Sequence, residues 1–242
     1  MKRGLVMIVF IGLTIGTIFA TSWGEANIKC PICKTTNKFA WLQSWGSEDV
    51  SWHIRLQYIS WLDAKGICLY TCKKCKYSAF MWDFNNEGKK TLKIIKKALP
   101  KLDLPASNYN DNATTKLESA ELFYKLYKHD ADFWCRFYRI KGYHYENEGN
   151  INQAKTERLK ALAIADSLLA IPENDYRRKE LLVITSSMKY FTSQDSEAIK
   201  DIDLAMSLTY NNPNFDSTEN SKSDSYLTKL LNELKMSIID KK

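Results

Sequence analysis

Two Cys-x-x-Cys pairs, Cys30-Pro31-Ile32-Cys33 and Cys72-Lys73-Lys74-Cys75, constrain this chain more than any other feature. A turn that spaces two cysteines by two residues can aim both sulfurs at one cation, and two such turns complete a tetrahedral thiolate set. Proline after the first cysteine presets the first turn, and the apolar Ile32 beside it can shield the sulfurs. The 38 residues between the pairs exceed a minimal ribbon and imply an inserted segment. The expected metal ligands are therefore Cys30, Cys33, Cys72 and Cys75, and the expected ion is structural Zn(II). In small zinc domains such binding contributes on the order of 10 kcal/mol to folding. Two other readings of the same sulfurs stand beside this one, simple disulfides and a thiol-redox Cys-x-x-Cys. A bridge inside Cys-x-x-Cys closes too short a loop to stabilise much, and neither pair opens a helix behind a strand, as a low-pKa thiolate would need. Both points favour zinc. Cys68 and Cys135 read as buried small hydrophobes, with a bridge between them as the alternative.

The N-terminus addresses the compartment. Lys2 and Arg3 precede an uncharged, mostly apolar run over residues 5–20, and small residues follow at Ala20, Ser22 and Ala26. This pattern reads as a signal peptide within residues 1–26, and the remainder is expected to be periplasmic or extracellular. The alternative is an uncleaved anchor, since the uncharged run 4–24 is just long enough to span a bilayer. No lipobox is present, because Cys30 follows Asn27-Ile28-Lys29. The formal charge is +7, or +5 once Lys2 and Arg3 are removed. That excess reads as spread along the chain, which gives no reason to expect a nucleic-acid partner. Its nearest approach to a patch is Lys89, Lys90, Lys93, Lys96 and Lys97, alternating with Leu92, Ile94, Ile95 and Leu99 at helical spacing. Those lysines read as a solvated face.

The expected fold class is α+β, mainly α: a small β-rich zinc-knuckle module followed by antiparallel helical hairpins. Residues 27–86 form the module, with β-like runs at 67–71 and 77–81. Residues 87–115 supply a connecting helix, ended by Pro100, and a polar linker. Over 116–242 the period becomes 3.6, with helices expected at 116–128, 130–147, up to 170, 175–191 and 196–209. After a polar loop at 211–224, a last helix carries Leu227, Leu230, Leu231, Leu234 and Ile238. Gly142, Ala154 and Ala161 recur 44 residues later as Ser186, Ala198 and Ala205. Small residues so placed let antiparallel helices approach closely, as in tetratricopeptide-type hairpins, although the repeat is longer than that motif. An irregular bundle is the alternative.

Cys30-Pro31-Ile32-Cys33 and the segment from Cys72 to Phe80, Cys72-Lys73-Lys74-Cys75-Lys76-Tyr77-Ser78-Ala79-Phe80, resemble the paired motifs of the bacterial domain-of-unknown-function 2225 family. That family carries a C-P-x-C-G knuckle and a C-P-x-C-G-Y-x-x-F knuckle before tetratricopeptide-like helices. The resemblance implies a metal-binding module on a helical scaffold, over about residues 28–210, and supplies no activity. It departs at Lys34 and Lys76, which replace the glycine that lets the backbone turn left-handed behind each knuckle. Lysine adopts that conformation at a cost of roughly 1 kcal/mol.

Catalytic constellations are weak. His129 and His144 stand six and nine residues from Cys135 and share its helical face poorly, and His53 reads as a surface or packing residue. Asp201 with Asp203, and Glu146 with Glu148, read as solvated faces. Trp41, Trp45, Trp52, Trp61 and Trp82 suit a small core around the knuckles or, less well, a recognition surface. Together these features point to a non-enzymatic exported scaffold whose hairpins bind a protein or peptide. The alternative is a thiol-redox or metal-handling envelope protein. A membrane is expected as partner only if the N-terminal segment stays attached.

Overall fold

The computed structural model describes residues 22–44 and 65–241. Most of the expected leader lies outside these residues, as do His53, Trp45, Trp52 and Trp61. The fold is α+β and mainly α. Two antiparallel hairpins are followed by seven helices among the described residues. Strands β1 (Ser22–Lys29) and β2 (Thr36–Ser44) pair from Ser22↔Ser44 to Lys29↔Thr36. Strands β3 (Leu69–Thr71) and β4 (Ser78–Phe80) pair from Leu69↔Phe80 to Thr71↔Ser78.

The helices are α1 (Lys89–Ala98), α2 (Ala113–Tyr124), α3 (Ala131–Asn147), α4 (Ile151–Leu169), α5 (Arg178–Phe191), α6 (Asp195–Met206) and α7 (Ser217–Ile239). Short polar side chains start several of them. Asn112, Asp130 and Asn150 each accept a backbone N–H from the first turn. Helix α7 begins eight residues earlier than the polar run 211–224 suggests. The reason is a capping box, in which Asp216 accepts from Glu219 N at 2.8 Å and Glu219 accepts from Asp216 N at 3.0 Å. No helix among the described residues is long and apolar enough to cross a membrane.

Helices α3 and α4 form an antiparallel hairpin through a tight turn at Gly149, whose φ is +80°. The small residues mark its closest approach. A Cβ added at Gly142 would stand 2.9 Å from Arg158 Cγ and 3.2 Å from Ala154 O. Ala154, Ala161, Ser186, Ala198 and Ala205 are all fully buried, so each serves as a contact point between neighbouring helices. Helices α5 and α6 pack as the next pair, and α7 lies against both.

Three cores result. An aromatic one joins both hairpins to α1, α2 and α3, and contains Phe39, Tyr70, Tyr77, Phe80, Phe84, Phe123, Tyr124 and Phe137. Two aliphatic ones hold α3, α4 and α5, and α5, α6 and α7. Of the expected tryptophans among the described residues, Trp41 is 47% exposed, and Trp82 is partly buried and stacks on Phe80 against the first core.

Candidate metal centre

Each Cys-x-x-Cys is the turn of a β-hairpin. Residues 30–35 connect β1 to β2, and residues 72–77 connect β3 to β4. The two turns share one hydrogen-bond pattern. Cys30 N donates to Thr35 O at 2.9 Å and Lys34 N to Cys30 O at 3.0 Å; Cys72 N donates to Tyr77 O and Lys76 N to Cys72 O, both at 2.9 Å. The chain can close so tightly only by turning left-handed once. It does so at Lys34 (φ 64°) and Lys76 (φ 63°), the two lysines that stand where the resembling family has glycine. Each lysine also folds back over its own turn, Lys34 Nζ onto Pro31 O at 3.0 Å and Lys76 Nζ onto Lys73 O at 3.3 Å.

The turns bring all four sulfurs together. The Sγ atoms of Cys30, Cys33, Cys72 and Cys75 lie within 4.8 Å of one another. Cys30 and Cys75 are 3.5 Å apart, as are Cys33 and Cys72, so the closest contacts run between turns rather than within them. Four thiolates around a tetrahedral ion at the usual Zn–S distance would be roughly 3.8 Å apart. The set therefore fits a thiolate-bound metal ion. Cys30 and Cys72 are completely buried, whereas Cys33 and Cys75 are partly exposed.

The crowded sulfurs do not titrate alike. Cys72 is held far below an ordinary thiol, because the neighbouring Cys30 and Cys75 thiols favour its thiolate. Cys30, facing the Cys72 sulfur, is pushed up to about 12. Cys75 is raised as well, by its contacts with Cys30 and Cys72 and by burial.

One residue that sequence reading passed over ties the turns together. Asn37, on β2 and 3% exposed, donates from Nδ2 to Thr35 O at 2.9 Å and lies 3.6 Å from Cys72 Sγ. Its Oδ1 accepts from Lys73 N at 2.9 Å, so the carboxamide spans both knuckles. Nothing in its spacing marks it out, because its partners come from the other hairpin. Lys116 on α2 plays a similar role below the cluster. It is 4% exposed, and its Nζ donates to Gly66 O (2.9 Å), Leu69 O (3.1 Å) and Tyr109 O (3.2 Å). Burial holds its ammonium down to about 8.

The remaining expected groups lie elsewhere. Cys68 and Cys135 are both buried and no disulfide joins them; Cys135 Sγ lies 3.6 Å from Ala161 O, and burial raises its thiol. His129 stacks on Phe133 at 3.8 Å, and His144 is buried edge-on to Tyr143. The acidic pairs read as solvated faces also tie helices together, although Glu148 and Asp203 are exposed as expected. Glu146 binds buried Arg158, Glu148 accepts from Thr114, and Asp201 accepts from Thr185 and Lys189. Asp203 reaches across to Lys235 on α7 at 2.7 Å. Sequence spacing places them on their own helix but says nothing of the helix opposite.

Compared with protein-family models, with curated proteins and with solved structures, the chain finds no match in any of the three. The cluster and its geometry therefore carry the functional argument.

Proposed function

We propose that this is an exported, non-enzymatic scaffold protein whose four cysteines hold a structural Zn(II), and whose helical hairpins bind a protein or peptide. The observation that carries the reading is the convergence of four sulfurs from two hairpin turns. All four positions around a tetrahedral ion are then thiolates. No position stays open for water or substrate, which separates a structural zinc from a catalytic one. Zinc suits the set best because soft thiolates in tetrahedral arrangement favour it, and because it brings no redox chemistry of its own. Cys30, Cys33, Cys72 and Cys75 would hold the ion, Asn37 would orient the Cys72 sulfur, and Ile32 would exclude water.

The same reading makes the chain a divergent relative of the domain-of-unknown-function 2225 proteins. The left-handed backbone at Lys34 and Lys76 supports it, since those positions ask for the glycine that family supplies. The hairpins α3–α4 and α5–α6 are then tetratricopeptide-like units, with α7 as the closing helix. Export rests on the basic and apolar leader. Cleavage after Ser22 leaves almost all of β1 in place, whereas cleavage after Ala26 removes the residues paired with positions 39–44; the first site is the one a stable hairpin requires.

The second reading, thiol exchange or metal transfer, draws on the partial exposure of Cys33 and Cys75. Elemental analysis of the purified chain, with thiol titration before and after chelation, separates the two. Structural zinc predicts about one ion per chain and four thiols that become reactive only with chelator. Metal-free protein with a reversibly reducible Cys-x-x-Cys bond would reject it in favour of exchange.

A further inference from the structure

Charge in this chain is not evenly distributed once the fold is known. Residues 65–101 contain ten lysines against Asp83 and Glu87, a net of +8, so the rest of the chain sums to −1. Both acids are turned inward, Asp83 accepting from Tyr124 at 2.7 Å and Glu87 from Tyr127. Helix α1 concentrates the excess. At 3.6 residues per turn, Lys89, Lys90, Lys93, Lys96 and Lys97 fall within an arc of about 120°. Ile95, fully buried in the aromatic core, anchors the opposite side. The five lysines and Lys101 are all exposed, and none is ion-paired or hydrogen-bonded to another described residue. Elsewhere Lys38, Lys125, Lys141, Lys179, Lys189 and Lys235 each hold a carboxylate.

This face works against the helix that carries it. Lys89 and Lys93, and Lys93 and Lys97, are like-charge pairs one turn apart. Lys89 and Lys90 also sit at the positive end of the helix dipole, with no acid in the first turn and no side-chain cap at Gly88. A solvated face chosen for stability would mix signs. An external negative surface offsets every one of these costs at once. The arc is bordered by Ile94, 45% exposed, and contains neither arginine nor an aromatic ring. Base readout and base stacking use those side chains, whereas lysines beside a short apolar group suit a headgroup layer.

We propose that the lysine face of α1 docks the protein on a bilayer surface rich in anionic phospholipid. The choice of a bilayer over a nucleic acid rests also on the export reading above. Export itself is tested separately, by whether the chain fractionates with the envelope, so the two can fail independently.

The test is lysine-selective acetylation of the full chain, read residue by residue by mass spectrometry. It is run with phosphatidylcholine vesicles and with vesicles in which part of that lipid is replaced by phosphatidylglycerol. A leader that inserts into both vesicle types does not disturb the comparison. Lys89, Lys93, Lys96 and Lys97 are expected to be protected only by the anionic vesicles, with protection lost in high salt, while exposed Lys155 and Lys222 stay reactive throughout. Lys93→Gln with Lys97→Gln relieves repulsion and keeps helix propensity, so folding is not at risk. Each charge removed should weaken docking about fivefold, whereas Lys155→Gln with Lys222→Gln should leave it unchanged. Equal acetylation with both vesicle types, protection spread evenly to Lys155 and Lys222, or protection by a duplex oligonucleotide and not by vesicles would each overturn the proposal.

Discussion

The front of the molecule, from β1 to α3, and the back, from α4 to α7, bury their interiors in different ways. The front gathers aromatic rings: Phe39 stacks on Tyr70 at 4.1 Å, Phe84 meets both edge-on, and Tyr77 bridges to Phe123. Two of its strands are only three residues long, too short to hold a sheet by ladder bonds alone. The back is built on alanine, leucine and isoleucine along long helices, and Tyr210 is the one buried aromatic in its two cores. Long helices in close contact hold themselves; short hairpins turned around sulfurs do not. The difference teaches where an ion would matter. On the proposed reading, the half built of short hairpins depends on the metal, and the other half should not register its loss.

The largest expected effect separates the halves outright. Cys72→Ser, or exhaustive chelation, removes a completely buried ligand and with it binding on the order of 10 kcal/mol. Hydrogen exchange should then show the amides of β1 to β4 exchanging freely while those of α5, α6 and α7 remain slow. Loss of protection in all seven helices together would show that the two halves are one cooperative unit.

The next effect lies on the seam. Lys141 on α3 joins Glu121 on α2 and Glu157 on α4, at 3.3 Å from the latter, and all three side chains are nearly dry. Burial works to raise the Glu121 carboxyl, yet the bonds from Lys125 and Lys141 outweigh it and leave the group below its ordinary 4.5. With a folded value lowered in this way, the site's stabilisation is complete above that ordinary value. It fades as pH falls through the lower folded one. Lys141→Met leaves Glu121 to Lys125 and Glu157 to Lys160, each a partly exposed partner, and should cost about 1–3 kcal/mol at neutral pH. Denaturant melts of the variant should recover part of that loss toward pH 5, as one carboxyl takes up a proton, without any change in metal content. A penalty that stays constant with pH would mean the methionine merely packs badly.

How far each half could be read from its residues follows from the same contrast. The back is written in periodicity, so α4, α5 and α6 were legible to within a few residues, and Leu227, Leu230, Leu231, Leu234 and Ile238 on α7 are all buried as their spacing required, although α7 starts well before them. The convergence of the four cysteines was legible because Cys-x-x-Cys carries its geometry locally. What could not be read is every group whose partner arrives from another element. Asn37 looks like any strand asparagine until the second hairpin meets it, Lys116 like any surface lysine until three carbonyls surround it, and Glu146 like a solvated acid until Arg158 folds over it. The tryptophan set was legible only in part, since Trp82 packs against the aromatic core while Trp41 stays half exposed.

Asn37 sharpens the comparison at moderate size. Its carboxamide stands beside the sulfur cluster and spans both turns, the kind of outer contact whose loss weakens metal binding 10- to 100-fold. Asn37→Ala should lower zinc affinity in a competition titration by roughly that factor, while far-ultraviolet dichroism, dominated by the back, stays unchanged. Affinity equal to the unaltered chain would confine Asn37 to packing.

The smallest effect asks whether the two knuckles are equivalent. Lys34 and Lys76 both hold a left-handed backbone, which costs a non-glycine residue about 1 kcal/mol. Glycine removes that strain but loosens the unfolded chain by roughly 0.5–1 kcal/mol and forfeits the lysine's bond to its own turn. For Lys34 that bond is a single exposed contact with Pro31 O, so Lys34→Gly should be neutral or stabilising by no more than about 0.5 kcal/mol. Lys76 makes a second bond, to Ser107 O in the segment leading to α2, and so ties its knuckle to the helices behind. Lys76→Gly should therefore destabilise slightly, and Lys76→Ala more, because alanine keeps the strain and loses the tie. The sign difference between the two glycine variants, measured as paired denaturant midpoints in saturating zinc, reports how firmly each knuckle is fastened to the rest of the fold. Equal signs would mean that the Ser107 contact contributes nothing, and that both knuckles answer to the metal alone.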